Sequence, residues 1–477
     1  MSSSAQTPLT AAEAGQLLAN GAVTAVELAR HYLDRIAEFG PALNAVIATD
    51  TDRALRAAAD SDARRGSGKS LGPLDGIPIL IKDNIEAAGL PATAGSRALL
   101  SSAPLTDAPL VDRLRAAGLV LLGSTNLSEW ANFRSTASTS GWSAVGGQTR
   151  NPYDTSRNTS GSSSGSAVAV AARLAPLAVG TETDGSIVHP GGICGVVGFK
   201  PTLGTVPGGG IVPIASRQDT AGPMTRTVAD ATALYAVLSG RPIRPRPSTL
   251  DGRRVAIWRP NQLSPEVEAV LSRAESLLRE AGCLTQESRA ETSGPFDDAE
   301  FQALVSEFAQ ELPAYLAARP GEHPRSWPDL LAFNRADDVE LSMFSDEIFG
   351  LAAEAPPAGS DKHLAARAEA DSGAAQALNA ALGGCDLAIT LSNSPAWPIR
   401  YGDSESHGVL TSSPCAVTGS PSLTMPAGLV HGLPVGISVL GRRGQDEDLL
   451  SFAAALEALL GSPVAPPEMV ASRPERT

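Results

Sequence analysis

The stretch from residue 141 to 166, GWSAVGGQTRNPYDTSRNTSGSSSGS, constrains this chain more than any other, because it has almost no apolar periodicity yet runs straight into AVAVAARLA. Flexible Gly/Ser segments commonly serve as linkers between domains. A linker would not lead directly into a small-residue helix and then into a second glycine-rich run, TETDGSIVHPGG. The pattern predicts instead a packed functional loop that the rest of the fold closes around.

On either side the chain reads as α/β. The short apolar runs in LDGIPILIKD and LVLLG are strand-like and flank the helical pattern DAPLVDRLRAAG. Upstream, Thr10 to Glu13 and Thr24 to Glu27 are capping-box patterns, each opening an apolar-periodic segment, so the chain begins helical. RPIRPRPSTLDG at 241–252 is an exposed connection rich in proline. Beyond it RVAIW reads as a strand and PEVEAVLSRAESLLREAG as an amphipathic helix. Residues 300–372 are mainly helical and polar, anchored by DLLAFN and ELSMFSDEIF, and DLAITLS and LPVGISVLG return to strand pattern.

Composition excludes several classes. With 477 residues, 43% apolar and 18% charged, the chain suffices for one large core or two domains. A formal charge of −14 repels nucleic acid and anionic membrane surfaces, so neither is expected as a partner. The four cysteines stand far apart with no CxxC pair, which suggests neither a zinc site nor a disulfide framework and fits a reducing compartment. His31, His189, His323, His363, His407 and His431 are scattered without ligand spacing. No metal or organic cofactor is expected. The N-terminus lacks a basic segment followed by an apolar run, and nothing approaches the ~20 apolar residues of a membrane span, so a cytoplasmic location is the expectation.

Two serines compete as nucleophile. Gly161, Ser163 and Gly165 satisfy G-x-S-x-G, but that elbow needs a strand before its serine, and TRNPYDTSRNT is turn-rich and polar. Ser186 is the better candidate, because Gly185 before it lets successive backbone N–H groups converge on an oxyanion. On this segment alone a tight turn with a solvated serine is the better explanation of the pattern. Lys82 changes the balance, since it follows GIPILI directly and so emerges from the end of a buried strand. To act as a base near neutral pH its pKa must fall by about three from ~10.4, at a cost of roughly 4 kcal/mol that desolvation can supply. Asp83 must then point elsewhere or be paired.

These segments together resemble the amidase signature family: Gly76 to Asn84 as G-I-P-x-x-I-K-D-N, the Gly/Ser loop at Ser160 to Ser166, and Gly185-Ser186-Ile187. The segments NLSEWANFRS, GWSAVGGQTRNPY, GTETDGSIV, QDTAGPM and AWPIR are similar to its peptide-amidase branch, whose members remove the C-terminal amide from peptides. The resemblance implies a large mixed β-sheet covered by helices on both sides. One domain over 1–477 is expected, with N-terminal helices at 1–70, the signature core at 71–240, a variable, largely helical region at 241–380 and a return to the sheet at 381–477.

It also implies a Ser-cisSer-Lys triad of Ser186, Ser162 and Lys82, working through an acyl-enzyme. The oxyanion hole would be the backbone of Thr183, Asp184, Gly185 and Ser186. Trp130, Asn132, Phe133, Ser163 and Trp397 are candidates for binding a small-molecule or peptide amide substrate. The general family pattern departs here at Asp184, which replaces a glycine, and at Val188, which replaces an arginine and leaves Glu182 without that partner. The Asp184 side chain is expected to point away from the oxyanion. The same triad would also serve a glutaminase-type subunit of a tRNA-dependent amidotransferase, or an amidase of broad small-molecule or fatty amide specificity.

Overall fold

The computed structural model describes residues 10–244, 249–291, 295–403 and 408–461. Most of the N-terminal segment, the middle of the 241–252 connection and His407 lie outside the described residues. The chain begins with α1 (Ala11–Ala19) and α2 (Ala25–Leu43), each held by a complete capping box in which the threonine hydroxyl accepts from the glutamate N–H and the glutamate carboxylate from the threonine N–H. β1 (Val46–Thr49) and α3 (Thr51–Gly66) follow. β1 corrects the helical reading of residues 1–70: its four residues are too few to show a period of their own, and it is defined by antiparallel pairing to a strand far along the chain.

β2 (Pro78–Lys82), α4 (Pro109–Ala116) and β3 (Val120–Thr125) form a parallel β-α-β unit. A small ribbon of β4 (Trp142–Ser143) and β5 (Gly147–Gln148) lies in the polar stretch, before α5 (Ser164–Ala171) and β6 (Leu177–Glu182). Next come α6 (Val188–Ile193), β7 (Val197–Lys200), β8 (Thr220–Thr225) and α7 (Val228–Ser239). β9 (Arg254–Trp258), α8 (Pro265–Glu280) and β10 (Leu284–Ser288) make a second parallel unit. The helices α9 (Pro295–Ala318), α10 (Trp327–Ala336), α11 (Glu347–Ala353) and α12 (Asp361–Leu382) precede β11 (Leu387–Leu391), α13 (Ser413–Val417), β12 (Ser422–Val430), β13 (Leu433–Leu440) and α14 (Asp446–Leu460).

Eleven strands join one mixed sheet in the order β1-β3-β2-β6-β8-β7-β12-β13-β11-β9-β10, drawing on all four expected segments of the chain. Every residue of β2, β3, β6, β8, β11 and β13 is buried, which requires cover on both faces. Helices supply that cover: α7 packs on β7 and β8, α14 on α7, α8 and β12, α6 on β7, β12 and β13, and α12 on β9 and β11.

Two features position the site. Lys82 and Glu182 end the parallel neighbours β2 and β6, so the chemistry gathers at the carboxyl ends of these strands. A second core, built around Phe308 with Phe133, Trp327 and Phe349 at ring distances of 5.1, 5.1 and 6.0 Å, holds α9 to α11 against the 130–133 turn. Leu330 of DLLAFN and Ile348 and Phe349 of DEIF are its buried anchors.

Much of the Gly/Ser stretch is buried, and its side chains satisfy the backbone that no sheet pairs. Gln148 Nε2 donates to the carbonyls of Ser140 and Thr149, Asn151 Nδ2 to that of Asn158, and Ser164 Oγ to that of Ser160. Gly165 is required where α5 meets residue 126, since a Cβ there would lie 2.5 Å from the Asn126 carbonyl.

Candidate active site

Lys82 is fully buried, and its Nζ lies 2.7 Å from Ser162 Oγ, 2.9 Å from Thr181 Oγ1 and 3.3 Å from the Thr181 carbonyl. Burial brings its pKa down to about 7, while the charges of Asp219 and Glu182 hold it up. Asp83 leaves it free for this: its carboxylate turns to the N–H groups of Ala92 and Thr93 and to the Thr93 hydroxyl. The peptide bond from Gly161 to Ser162 is cis.

Ser186 stands at the end of a turn that Glu182 holds closed, with Glu182 Oε2 accepting from the N–H groups of Ile187 (2.7 Å) and Val188 (3.0 Å). Glu182 also draws on the Gly185 N–H, and Lys200 is the cation that most stabilises its charge. In the absence of an arginine at position 188, backbone donors and a second buried lysine therefore serve this carboxylate. Gly185 takes φ 74°, the left-handed region where a side chain is strained. The Ser186 carbonyl accepts from Ser163 N–H at 3.1 Å, which fixes the Ser186 loop beside the Gly/Ser loop that carries Ser162. The Ser186 hydroxyl makes no hydrogen bond among the described residues.

Ser186, Gly185, Asp184 and Thr183 line a cavity of about 310 Å³ together with Gly161 and His189. Lys82 and Ser162 lie behind this wall, both without exposure. Among the residues named for substrate, Asn132 and Phe133 are on the cavity wall. Trp130, Ser163 and Trp397 are not. Trp130 is 2% exposed and packs edge-on against Phe349 in the second core. Ser163 is buried in a paired exchange with Thr181, its Oγ donating to the Thr181 carbonyl (2.9 Å) and accepting from the Thr181 N–H (3.1 Å). Trp397 stacks on His189 from outside the lining.

The Asp184 side chain is expected to point away from the oxyanion, and its carboxylate is engaged by a serine of another loop. Asp184 lines the cavity, and its carboxylate accepts from Ser412 Oγ at 2.5 Å, on a loop that also lines it. Desolvation pushes its carboxyl up to about 6.

Sequence reasoning missed several parts of the wall, among them Ile214, the segment of Leu410, Ser412 and Ser413, and the two that follow. Asp297, Glu300, Phe301 and Leu304 of α9 face the cavity. Their i, i+3, i+4, i+7 spacing was a readable helical stripe, although its mixed polarity hid it. His189, scattered in sequence, is the other. Its Nε2 faces the Val409 carbonyl (3.2 Å), which can only accept, so Nε2 carries a proton, and Nδ1 pairs with Ser160 Oγ (2.8 Å).

The Amidase family profile matches residues 27–450. The chain belongs to the amidase signature family. As a member it is a hydrolase of amide C–N bonds. Its fold is similar to native peptide amidase from Stenotrophomonas maltophilia at 40% identity and a TM-score of 0.90, covering 96% of this chain and 99% of that one. An amidase family protein from Bacillus anthracis is similar at 30% identity and a TM-score of 0.84, covering 96% and 92%. In sequence, a glutamyl-tRNA(Gln) amidotransferase subunit from Salinispora tropica is 34% identical over 504 residues, covering 97% of this chain and 99% of that one. Among the described residues no helix is long and apolar enough to cross a membrane.

Proposed function

We propose that this amidase releases ammonia from the C-terminal carboxamide of peptides, with Ser186 as nucleophile, Ser162 as proton relay and Lys82 as base. The observation that carries the reading is the 2.7 Å contact of a buried, weakly basic Lys82 with Ser162, directly behind the cavity that Ser186 lines. Lys82 takes the Ser162 hydroxyl proton as Ser162 takes that of Ser186, and Ser186 Oγ bonds to the amide carbon. Charge moves to the carbonyl oxygen, where backbone N–H groups of Thr183, Asp184, Gly185 and Ser186 stabilise it. Gly185 already faces Glu182, so the other three carry most of that role. The proton held by Lys82 returns through Ser162 to the departing nitrogen, and ammonia leaves. Water then attacks the acyl-enzyme by the same path, releasing the peptide acid.

Asn132 and Phe133 would receive the end of the peptide, and the similarity to peptide amidase supports that substrate class. The four cysteines are free, which supports a reducing, cytoplasmic setting. A glutaminase subunit is the second reading, favoured by the amidotransferase relative. The test is ammonia release by the purified chain from peptide amides, glutamine and long-chain fatty amides. Turnover of peptide amides that Ser186→Ala lowers by at least about a thousandfold is expected. Turnover of glutamine alone, dependent on partner subunits, would replace this reading with the second.

A further inference from the structure

A neutral amine has two N–H bonds and one lone pair, and Lys82 Nζ has three oxygen neighbours among which to divide them. The Thr181 carbonyl can only accept, so it takes one N–H. Ser162 and Thr181 Oγ1 compete for the other N–H and the lone pair, since either hydroxyl could donate to nitrogen. If Thr181 donates, Ser162 is left accepting an N–H, and Lys82 cannot draw its proton. The base function therefore depends on where the Thr181 hydroxyl proton goes.

Asn84 bears on that choice. As placed, its Nδ2 donates to Thr181 Oγ1 at 3.0 Å, and its other end, Oδ1, is buried without a hydrogen-bond partner among the described residues. The two ends of such an amide are nearly equal in size, so either fits against the threonine. With the carbonyl oxygen inward, Asn84 accepts the Thr181 hydroxyl proton, Thr181 Oγ1 accepts from Lys82, and the lone pair falls on Ser162. Resting on Lys82 as the base, we propose that Thr181 and Asn84 are a positioning pair that turns the amine lone pair onto Ser162.

The charged groups that most influence Lys82 are Asp219, which accepts from Thr183 Oγ1, Ile214 N and Ala215 N, and Glu182, held by the nucleophile turn. Asp83 is committed to the 92–93 backbone. None of the three bonds Thr181 Oγ1, so a Thr181 variant leaves this charge set intact.

The experiment is the pH profile of kcat/KM for Thr181→Val, Thr181→Ser and Asn84→Ala, with Lys82→Ala as reference. Thr181→Val keeps the shape but removes an acceptor that favours the ammonium. Its kcat should fall at least about tenfold, and its acid limb should move down by about one pH unit. Thr181→Ser should restore both. Asn84→Ala, which keeps Thr181 itself, should lower kcat by a smaller factor and remains informative if the valine variant does not fold. An unchanged kcat, or a loss of kcat with an unmoved acid limb, in folded Thr181→Val would overturn the proposal. Full activity in Lys82→Ala would instead overturn the catalytic reading beneath it.

Discussion

Lys82 and Lys200 are the same side chain in nearly the same setting: each ends a sheet strand, each is at most 1% exposed, and burial lowers the pKa of each. Their partners differ. Lys82 meets two hydroxyls and a carbonyl, whereas Lys200 Nζ bonds the Pro201 carbonyl and feels Glu182 as its strongest counter-charge. Desolvation thus makes a lysine ammonium a strong enough acid to lose its proton, but only a hydroxyl in contact gives the resulting amine a proton to take. Lys200 bonds no hydroxyl among the described residues, and the Glu182 charge supports its protonated form.

The largest effect should come from removing each lysine in turn. Lys82→Met should lower kcat by about a thousandfold or more, while Lys200→Met should cost about tenfold, by loosening the Glu182 turn under Ser186, and leave the acid limb near pH 7 where it is. Steady-state kinetics across pH 5–9 checks both, and equal losses would break the comparison. Stability should move the other way at Lys82. Its folded pKa of about 7 lies below the ordinary ~10.4, so the unfolded chain binds a proton that the folded one refuses, and the penalty is complete below about pH 7. Denaturant unfolding should find Lys82→Met more stable by up to about 4 kcal/mol at pH 6, the gain fading as pH rises toward 10. Lys200→Met should gain less, because it strands Glu182 without its counter-charge. The smallest effect belongs to Glu182→Gln, which keeps an acceptor for Ile187 and Val188 but removes a charge that supports protonated Lys82. Its kcat should stay within about threefold and its acid limb should drop by a fraction of a pH unit.

Legibility followed the range over which each signal acts. The capping boxes at Thr10 and Thr24 were readable because both partners lie three residues apart. The strands of GIPILIK and RVAIW were readable because burial on both faces leaves an unbroken apolar run. β1 was not, having little burial and a partner strand far along the chain. In the site, local motifs pointed to Lys82, Ser162 and Ser186, of which the structure sets Lys82 against Ser162 and Ser186 on the cavity wall, while Trp130 and Trp397 were aromatic residues whose neighbours no local pattern discloses. The α9 wall and His189 join the cavity through packing alone.

The two lysines show where this boundary falls. GIPILIK carries an apolar run into a lysine, and that marks Lys82, without any tertiary knowledge, as the end of a buried strand, whereas the equal burial of Lys200 at the end of GVVGFK comes from the structure. Which one meets hydroxyls is decided by residues 80 and 99 positions away from Lys82, Ser162 and Thr181. Hydrogen bonds act over about 3 Å, so their pattern is set by which segments the sheet brings together rather than by the run of residues along either strand.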